Sequence, residues 1–93
     1  MAKIITVTGT IETVYPKNGK DFQLDELQKI IGGLIDIVRI DKSGEFMVIN
    51  DEGKLNGMDW NMVATTYAKM ANAIGRFDYI AGDVLVCDKS QIK

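Results

Sequence analysis

The apolar positions of the chain form five short segments with the character of strands. Residues 3–8 are almost all β-branched, and residues 11–15 alternate between apolar and polar side chains as half-buried strands do. These two segments form either one hairpin or one bent strand. Residues 34–40 and 45–50 are apolar runs on either side of a polar turn that contains glycine, which predicts a second hairpin. Residues 83–87 predict the last strand.

Two further segments have helical periodicity. The first predicts a short amphipathic helix with acidic side chains in its first turn, where they favour the positive end of the helix dipole. Gly32 and Gly33 are expected to end it, because glycine adopts the left-handed cap conformation without strain. Its apolar positions are Leu24, Leu27, Ile30 and Ile31.

The second helix is predicted to begin near Asp59 or Asn61, since either side chain can cap a first turn. It is expected to end at Gly75. Alanines between its larger apolar positions allow a close approach to a sheet. The predicted buried stripe consists of Val63, Tyr67, Met70 and Ile74.

The element order β-β-α-β-β-α-β predicts a single domain of the α+β class. Short connections and only two helices favour a small antiparallel or mixed five-stranded sheet with both helices on one face. Such an arrangement leaves the other face or an edge strand open for a partner or for dimerisation.

Composition and charge exclude several classes of function. Eleven Lys and Arg residues against thirteen Asp and Glu residues give a net charge of −2, so the chain lacks the positive charge expected of a nucleic-acid-binding protein. No segment approaches the about 20 apolar residues of a membrane span, and we expect no membrane partner. The single cysteine, Cys87, ends an apolar run and is expected in the core. These features predict a cytoplasmic protein.

The candidate chemistry is limited further by the absence of histidine, which excludes histidine-based triads and histidine-bearing zinc sites. Residues 50–53, Asn-Asp-Glu-Gly, lack the ligand spacing of a calcium loop and indicate either a self-bonded turn or a ligand-contacting loop. Gly32 and Gly33 follow a helix rather than precede one, so capping is favoured over phosphate binding. Adjacent carboxylates in solvated turns do not make an acid–base pair. We therefore expect no enzymatic activity, metal or cofactor.

Arginine and aromatic residues are the remaining candidates for ligand contacts. Arg39 and Arg76 are the only guanidinium groups, and a guanidinium can bind an anion with two parallel hydrogen bonds. Arg39 interrupts an apolar strand, which indicates either an edge position or a site residue. Trp60 and Tyr15 flank loops, where they either seal the core or stack on a base.

Four motifs, in order, resemble those of the domain-of-unknown-function family 3846, a family of small proteins. They are residues 24–36 (LDELQKIIGGLID), residues 50–57 (NDEGKLNG), Asn61 with Ala64 and Thr65, and residues 80–84 (IAGDV). The resemblance covers residues 22–87. It departs from the family pattern at Leu34, at Asp51 and at residues 58–60.

The resemblance implies a biological context rather than an activity. Members of that family resemble products of bacteriophages and bacterial mobile elements, with no established reaction. The polar motif positions indicate either a shared ligand pocket or a structural network of buried amides and carboxylates. The sequence leaves both interpretations open.

These observations predict a non-enzymatic phage or mobile-element accessory protein that acts in the cytoplasm of the bacterial host. It would bind a small anionic ligand, such as a nucleotide immune signal, and sequester it. A small homo-oligomer could form the pocket between chains. The alternative is an interaction module that binds a host protein through a sheet edge or the surface around Trp60 and Met58. The predicted ligand-binding residues are Gln28, Arg39, Asn50, Glu52, Lys54, Asn61 and Thr65.

Overall fold

The computed structural model describes residues 2–40 and 43–92 as a five-stranded sheet with two α-helices. Neither helix in these ranges is long and apolar enough to cross a membrane. A short 3-10 helix, Lys89–Gln91, follows the last strand. In chain order the elements are β1 (Ala2–Ile5), β2 (Ile11–Val14), α1 (Leu24–Ile31), β3 (Ile35–Ile40), β4 (Glu45–Asn50), α2 (Met62–Met70) and β5 (Val84–Asp88).

The strands lie in the order β2-β1-β5-β4-β3, and every neighbouring pair is antiparallel. The predicted α+β class, element order and five-stranded sheet are confirmed. β1 and β2 form a hairpin, with Ile5 opposite Ile11. The β3–β4 hairpin is also confirmed, although residues 41 and 42 of its turn lie outside the described residues. The last strand therefore lies between two hairpins and completes the sheet.

The two helices cover opposite faces of the sheet, so the prediction that both lie on one face is wrong. α2 packs over Met47, Val84 and Val86. α1 packs over Val48 and Leu85, with Cys87 in the same cluster. Consecutive strand residues point to opposite faces, and β5 is buried at four consecutive positions. A strand that is apolar without alternation needs cover on both sides.

The buried side of α2 also differs from the predicted stripe. Ala64, Thr65 and Ala68 are its buried residues, whereas Met70 is 76% exposed. Alanine side chains let the helix backbone approach the sheet closely. Of the predicted stripe, Tyr67 and Ile74 are partly buried against the core, whereas Val63 and Met70 are exposed.

α2 ends at Met70, which is five residues before the predicted end at Gly75. Asn72 adopts a left-handed conformation with φ of 55°. Its N–H donates to the Lys69 carbonyl (3.0 Å), and the Ala73 N–H donates to the Ala68 carbonyl (2.8 Å). This pair of hydrogen bonds is the Schellman termination, for which asparagine can replace glycine at the left-handed position.

α1 has the ends that the sequence predicts. Gly32 is its C-cap, with φ of 88° and an N–H that donates to Gln28 O. At the other end, the Glu26 carboxylate accepts the N–H groups of Gln23 (2.8 Å) and Lys17 (2.9 Å). These two hydrogen bonds, the Gln23 one first, lower the pKa of Glu26 below its ordinary value. The turn before α1 is thus attached to the helix through a charged acceptor.

This arrangement predicts an acid-sensitive contribution of Glu26 to stability. A carboxyl whose pKa is lower in the folded than in the unfolded state stabilises the fold above its unfolded pKa, and the contribution is lost as the pH falls through the lowered pKa. The melting temperature of the wild type should therefore exceed that of Glu26→Gln at neutral pH. We expect the difference to shrink on acidification below the ordinary pKa of 4.5. Thermal melts at a series of pH values measure it.

The control for that experiment is Glu12→Gln. Glu12 is exposed on β2, and its carboxylate accepts no hydrogen bond from another residue in the described ranges. It should leave the pH profile unchanged. A pH-independent difference between the wild type and Glu26→Gln would contradict the assignment.

Cys87 lies in the core, as predicted, and is fully buried on β5. Burial is the main cause that raises the pKa of its thiol to about 11. The thiol is therefore protonated at physiological pH and acts as a small apolar side chain.

Candidate functional site

A cleft of about 810 Å³ opens on the α2 side of the sheet, at the β3 edge. Edge strand β3 and the end of β4 form one wall. The loop that follows β4 and the irregular segment 71–81 form the others. The early end of α2 at Met70 contributes to this shape, because the chain then continues as turns rather than as another helical turn.

The cleft combines an apolar floor with charged walls. Val38, Ile49 and Ile74 are half-buried and pack against the core beneath α2. The charged residues around them carry two positive and three negative charges, so a simple anion would meet a net negative lining. These charged residues are Asp36, Arg39, Asp51, Lys54 and Asp78.

Lys54 is held in position by two groups of the opposite wall. Its ammonium forms a hydrogen-bonded ion pair with Asp78 and lies 4.6 Å from the centroid of the Tyr79 ring. The Lys54 hydrogen bond, and then the Tyr79 N–H, lower the pKa of Asp78. Both side chains of the pair are about half exposed, with 47% and 44% of their surface accessible. The ammonium is therefore fixed, solvent-accessible and already neutralised by one carboxylate.

Arg39 is an exposed residue of the edge strand β3 and also lines the cleft. The predicted edge position is confirmed. Because neighbouring strand residues point to opposite faces and Val38 packs beneath α2, the Arg39 side chain leaves β3 on the α1 side and borders the cleft only at the edge of the sheet. Within residues 2–40 and 43–92, its guanidinium forms no hydrogen bond or ion pair.

Asn61 is fully buried and serves the framework instead of the cleft. Its amide nitrogen donates to the carbonyl oxygens of Ile5 and Gly82, both at 2.9 Å. Its side-chain oxygen accepts the Ala64 N–H at 3.0 Å and caps α2. One side chain thus joins β1, α2 and the segment before β5. This arrangement fits the structural-network alternative, and Asn61 has no polar atom directed into the cleft.

Thr65 is likewise engaged within the protein. Its hydroxyl oxygen accepts the Ile80 N–H (2.9 Å) and the Trp60 Nε1–H (3.0 Å). The hydroxyl also donates to the Ile80 carbonyl at 3.4 Å. Thr65 is buried and lies outside the cleft lining. It links α2 to Ile80 in segment 71–81, which forms one wall of the cleft.

The other predicted residues divide between the cleft and the remaining surface. Asn50 borders the cleft, but its amide accepts the Glu52 N–H (2.8 Å) and donates to the Ile31 carbonyl (3.4 Å). This confirms the self-bonded turn at residues 50–53. Glu52 and Gln28 lie outside the cleft lining. The structure therefore brings together Arg39, Asn50 and Lys54 and leaves the other four apart.

Several lining residues escaped prediction. Asp36, Asp78 and Tyr79 line the cleft although none was a candidate, and Asp51 was considered only as part of the loop at residues 50–53. Asp36 interrupts the same apolar strand as Arg39, and that parallel was the one local signal. The others lie in irregular segments that are brought together only by the tertiary fold.

The surfaces predicted for a protein partner are only partly available. β3 is an edge strand, but the Ile37 N–H donates to the Asp36 carboxylate at 2.8 Å, and an added strand would have to replace this hydrogen bond. Trp60 is 53% exposed. Its ring centroid lies 5.4 Å from that of Tyr79. Tyr15 is exposed and lies outside the cleft lining.

The four sequence motifs meet behind the cleft. Gly53 packs on Ala81 so closely that a Cβ atom at residue 53 would lie 3.0 Å from the Ala81 carbonyl oxygen. A Cβ at Gly33 would lie 3.2 Å from the Asn50 amide nitrogen. Together with the hydrogen bonds of Asn61 and Thr65, these contacts make the motifs one connected framework.

A comparison with family models decides the classification. The model of the family described as "Domain of unknown function (DUF3846)" matches residues 3–92. This chain is a DUF3846 protein. We found no match for it among curated proteins or among solved structures. The four motifs of the DUF3846 protein build its framework, and Asp36, Asp51 and Lys54 of these motifs also line its cleft.

Proposed function

We propose that the DUF3846 protein binds a small anionic ligand of the nucleotide class in this cleft and holds it without chemical change. One observation carries the proposal. The ammonium of Lys54, positioned by Asp78 and Tyr79, lies above an apolar floor in a cleft of about 810 Å³, and Arg39 borders this cleft at the edge strand β3. A cavity of this volume lies within the size range of small-molecule sites.

The mixed charge of the lining favours a nucleotide over a simple anion. Phosphate oxygens can accept two parallel hydrogen bonds from the fork of Arg39. The carboxylates of Asp36 and Asp51 can accept hydrogen bonds from ribose hydroxyls or from the amino groups of a base. The apolar floor of Val38, Ile49 and Ile74 offers a surface for the base itself. A bare phosphate could pair with the cationic side chains, but it would offer no hydrogen-bond donor to the carboxylates of Asp36 and Asp51.

Sequestration is the function that such binding would serve. In the cytoplasm of a bacterial host, a small protein that retains a nucleotide immune signal would lower its free concentration. The family's resemblance to phage and mobile-element products supports this context. The chain contains no histidine and therefore no histidine-based catalytic triad. Sequestration needs only tight binding of the ligand and no catalytic turnover.

A thermal-shift screen tests the proposal. The panel comprises cyclic dinucleotides, cyclic trinucleotides, ADP-ribose derivatives and mononucleotides, with inorganic phosphate as the simple-anion control. A ligand at about one hundred times its dissociation constant adds about 2.7 kcal/mol, which corresponds to about 10 °C or more for a domain of this size. We expect such a shift for one nucleotide but not for phosphate, with the compound recovered intact.

Two outcomes of the screen would contradict the proposal. A flat melting temperature across all nucleotides would exclude this ligand class. Recovery of a converted product would replace retention with catalysis, because the proposal requires the bound compound to leave unchanged.

A further inference from the structure

The two edge strands of the sheet differ in how well they are protected. At the β3 edge, the Ile37 N–H is already bonded to the Asp36 carboxylate (2.8 Å). At the other edge, β2 is exposed at Ile11, Glu12 and Thr13. An open strand edge can pair with a strand of another chain, which is why natural proteins protect most edges with charges, proline or bulges. The β2 edge is therefore the open pairing surface of this sheet.

The hydrogen bonds of the β1–β2 hairpin show which backbone groups of β2 face outward. The Thr6 N–H donates to the Thr10 carbonyl (2.9 Å), and this pair follows Ile5 and Ile11 in the register. Hydrogen-bonded and non-hydrogen-bonded pairs alternate along an antiparallel ladder. The N–H and C=O groups of Ile11 and Thr13 therefore point away from β1. Within residues 2–40 and 43–92, neither residue forms a hydrogen bond with another segment through these groups.

Tyr15 continues this outward-facing row. It follows β2 and precedes Pro16, and a residue before proline favours an extended backbone. Because strand side chains alternate, Tyr15 shares a side of the sheet with Ile11 and Thr13. On that side Ile11 and Val63 line a hollow of about 390 Å³ beneath the start of α2. The side chains of Ile11 and Tyr15 are 54% and 75% exposed, so the edge presents two apolar groups beside a hollow.

We propose that two copies of this chain pair through β2, antiparallel and with Thr13 on the twofold axis, so that their sheets become one. Each Thr13 N–H then donates to the carbonyl of Thr13 of the partner subunit, and Ile11 exchanges hydrogen bonds with the partner's Tyr15. The edge matches itself, because Ile11 and Tyr15 lie at equal distances on either side of Thr13. Each tyrosine ring packs beside the partner's isoleucine at the mouth of the hollow, and such cross-strand pairs stabilise a sheet.

Two other antiparallel registers would also join outward-facing groups, and each has a cost. A twofold axis at Glu12 would set two Glu12 side chains directly opposite each other, and like charges in that position destabilise a sheet. An axis at Val14 would need the Lys17 N–H, which already donates to the Glu26 carboxylate (2.9 Å). With the axis at Thr13, each Glu12 lies opposite a valine and the Lys17 hydrogen bond is kept. These contacts select the Thr13 register.

The β2 dimer leaves the cleft accessible. β2 and β3 are opposite edges of the sheet, so the two clefts lie at the outer ends of the joined sheet, and each is formed by one chain. Dimerisation and nucleotide binding are therefore independent and can fail separately. Because only residues 11–15 pair, the interface is small, and the dimer should be weak and concentration-dependent.

Sedimentation velocity over a concentration series tests the dimer. The wild type should move from monomer to dimer as its concentration rises. Thr13→Pro removes the N–H at the twofold axis from both copies and should weaken the dimer at least about tenfold. Proline is tolerated on an edge strand where the N–H faces outward, so the variant should fold, which far-ultraviolet circular dichroism checks. A wild type that stays monomeric, or a dimer that Thr13→Pro leaves intact, would overturn the proposal.

Disulfide trapping tests the register and does not depend on the proline variant. With oxidised glutathione, Thr13→Cys should form a covalent dimer, because the Cα atoms of a hydrogen-bonded antiparallel pair are about 5.5 Å apart. Glu12→Cys is the matched control, since its counterpart in the partner is a diagonal neighbour about 7–8 Å away, beyond the reach of a disulfide. The native Cys87 is buried. Non-reducing electrophoresis measures the dimer. Absence of the Thr13→Cys dimer, or equal trapping of Glu12→Cys, would overturn the proposal.

Discussion

Replacing Asn61 with alanine should lower the free energy of unfolding by about 3 kcal/mol, which corresponds to a fall of about 12 °C or more in the melting temperature. The variant loses the cap of α2, whose removal typically costs about 1 kcal/mol. It also removes the amide that donates to the Ile5 and Gly82 carbonyls in the core. Thermal and chemical denaturation measure the change.

The controls for this prediction separate the cap from the two donated hydrogen bonds. Asn61→Asp keeps an acceptor for the Ala64 N–H but places an anionic oxygen against two carbonyl oxygens, so it should be at least as destabilising as alanine. Asn56→Ala changes the same residue type at an exposed loop position and should be nearly neutral. If Asn61→Ala melted within about 2 °C of the wild type, Asn61 would not be the residue that joins β1 and α2.

Replacing Arg39 with alanine should weaken binding of the nucleotide ligand by about tenfold to a hundredfold, because a hydrogen bond to a charged group is worth about 1.5–3 kcal/mol. Lys54→Ala should have a comparable effect. Both side chains are exposed, so each substitution should change the free energy of unfolding by less than about 1 kcal/mol. Isothermal titration calorimetry measures affinity, and thermal melting of the free protein measures stability.

Two further variants test the roles of these cations. Asp78→Asn removes the carboxylate that neutralises Lys54 and should strengthen binding of a phosphate-bearing ligand. Arg76→Ala removes the other guanidinium, which lies outside the cleft lining, and should leave affinity unchanged. Equal affinity of Arg39→Ala and the wild type would remove Arg39 from the site. Unfolding of both Arg39→Ala and Lys54→Ala would make the two residues structural.

The local features of the fold were predictable from the sequence. The end of α1 at Gly32 and the β3–β4 hairpin depend on backbone preferences and patterns of neighbouring residues. The side on which each helix packs depends on distant parts of the chain, and here the prediction was wrong. The continuous apolar sequence of β5 carried the correct signal, because a strand without alternating polar residues is covered on both faces.

The candidate site shows the same division between local and distant information. Arg39 was proposed for its guanidinium and Lys54 as a polar motif residue, and both line the cleft. Asn61 was proposed as another polar motif residue, and its contact with the Ile5 carbonyl, 56 positions away, is not visible in the sequence. Asp78 was missed for a similar reason, since its partner Lys54 is 24 positions distant.

Titration of the amide NMR spectrum with the nucleotide panel tests the central claim most directly. It reports both whether a nucleotide binds and where. We predict saturable changes confined to amides of the cleft walls, notably Arg39, Lys54, Asp78 and Tyr79. The absence of saturable changes with every nucleotide, or changes that map to a different surface, would contradict a ligand-binding function for this cleft.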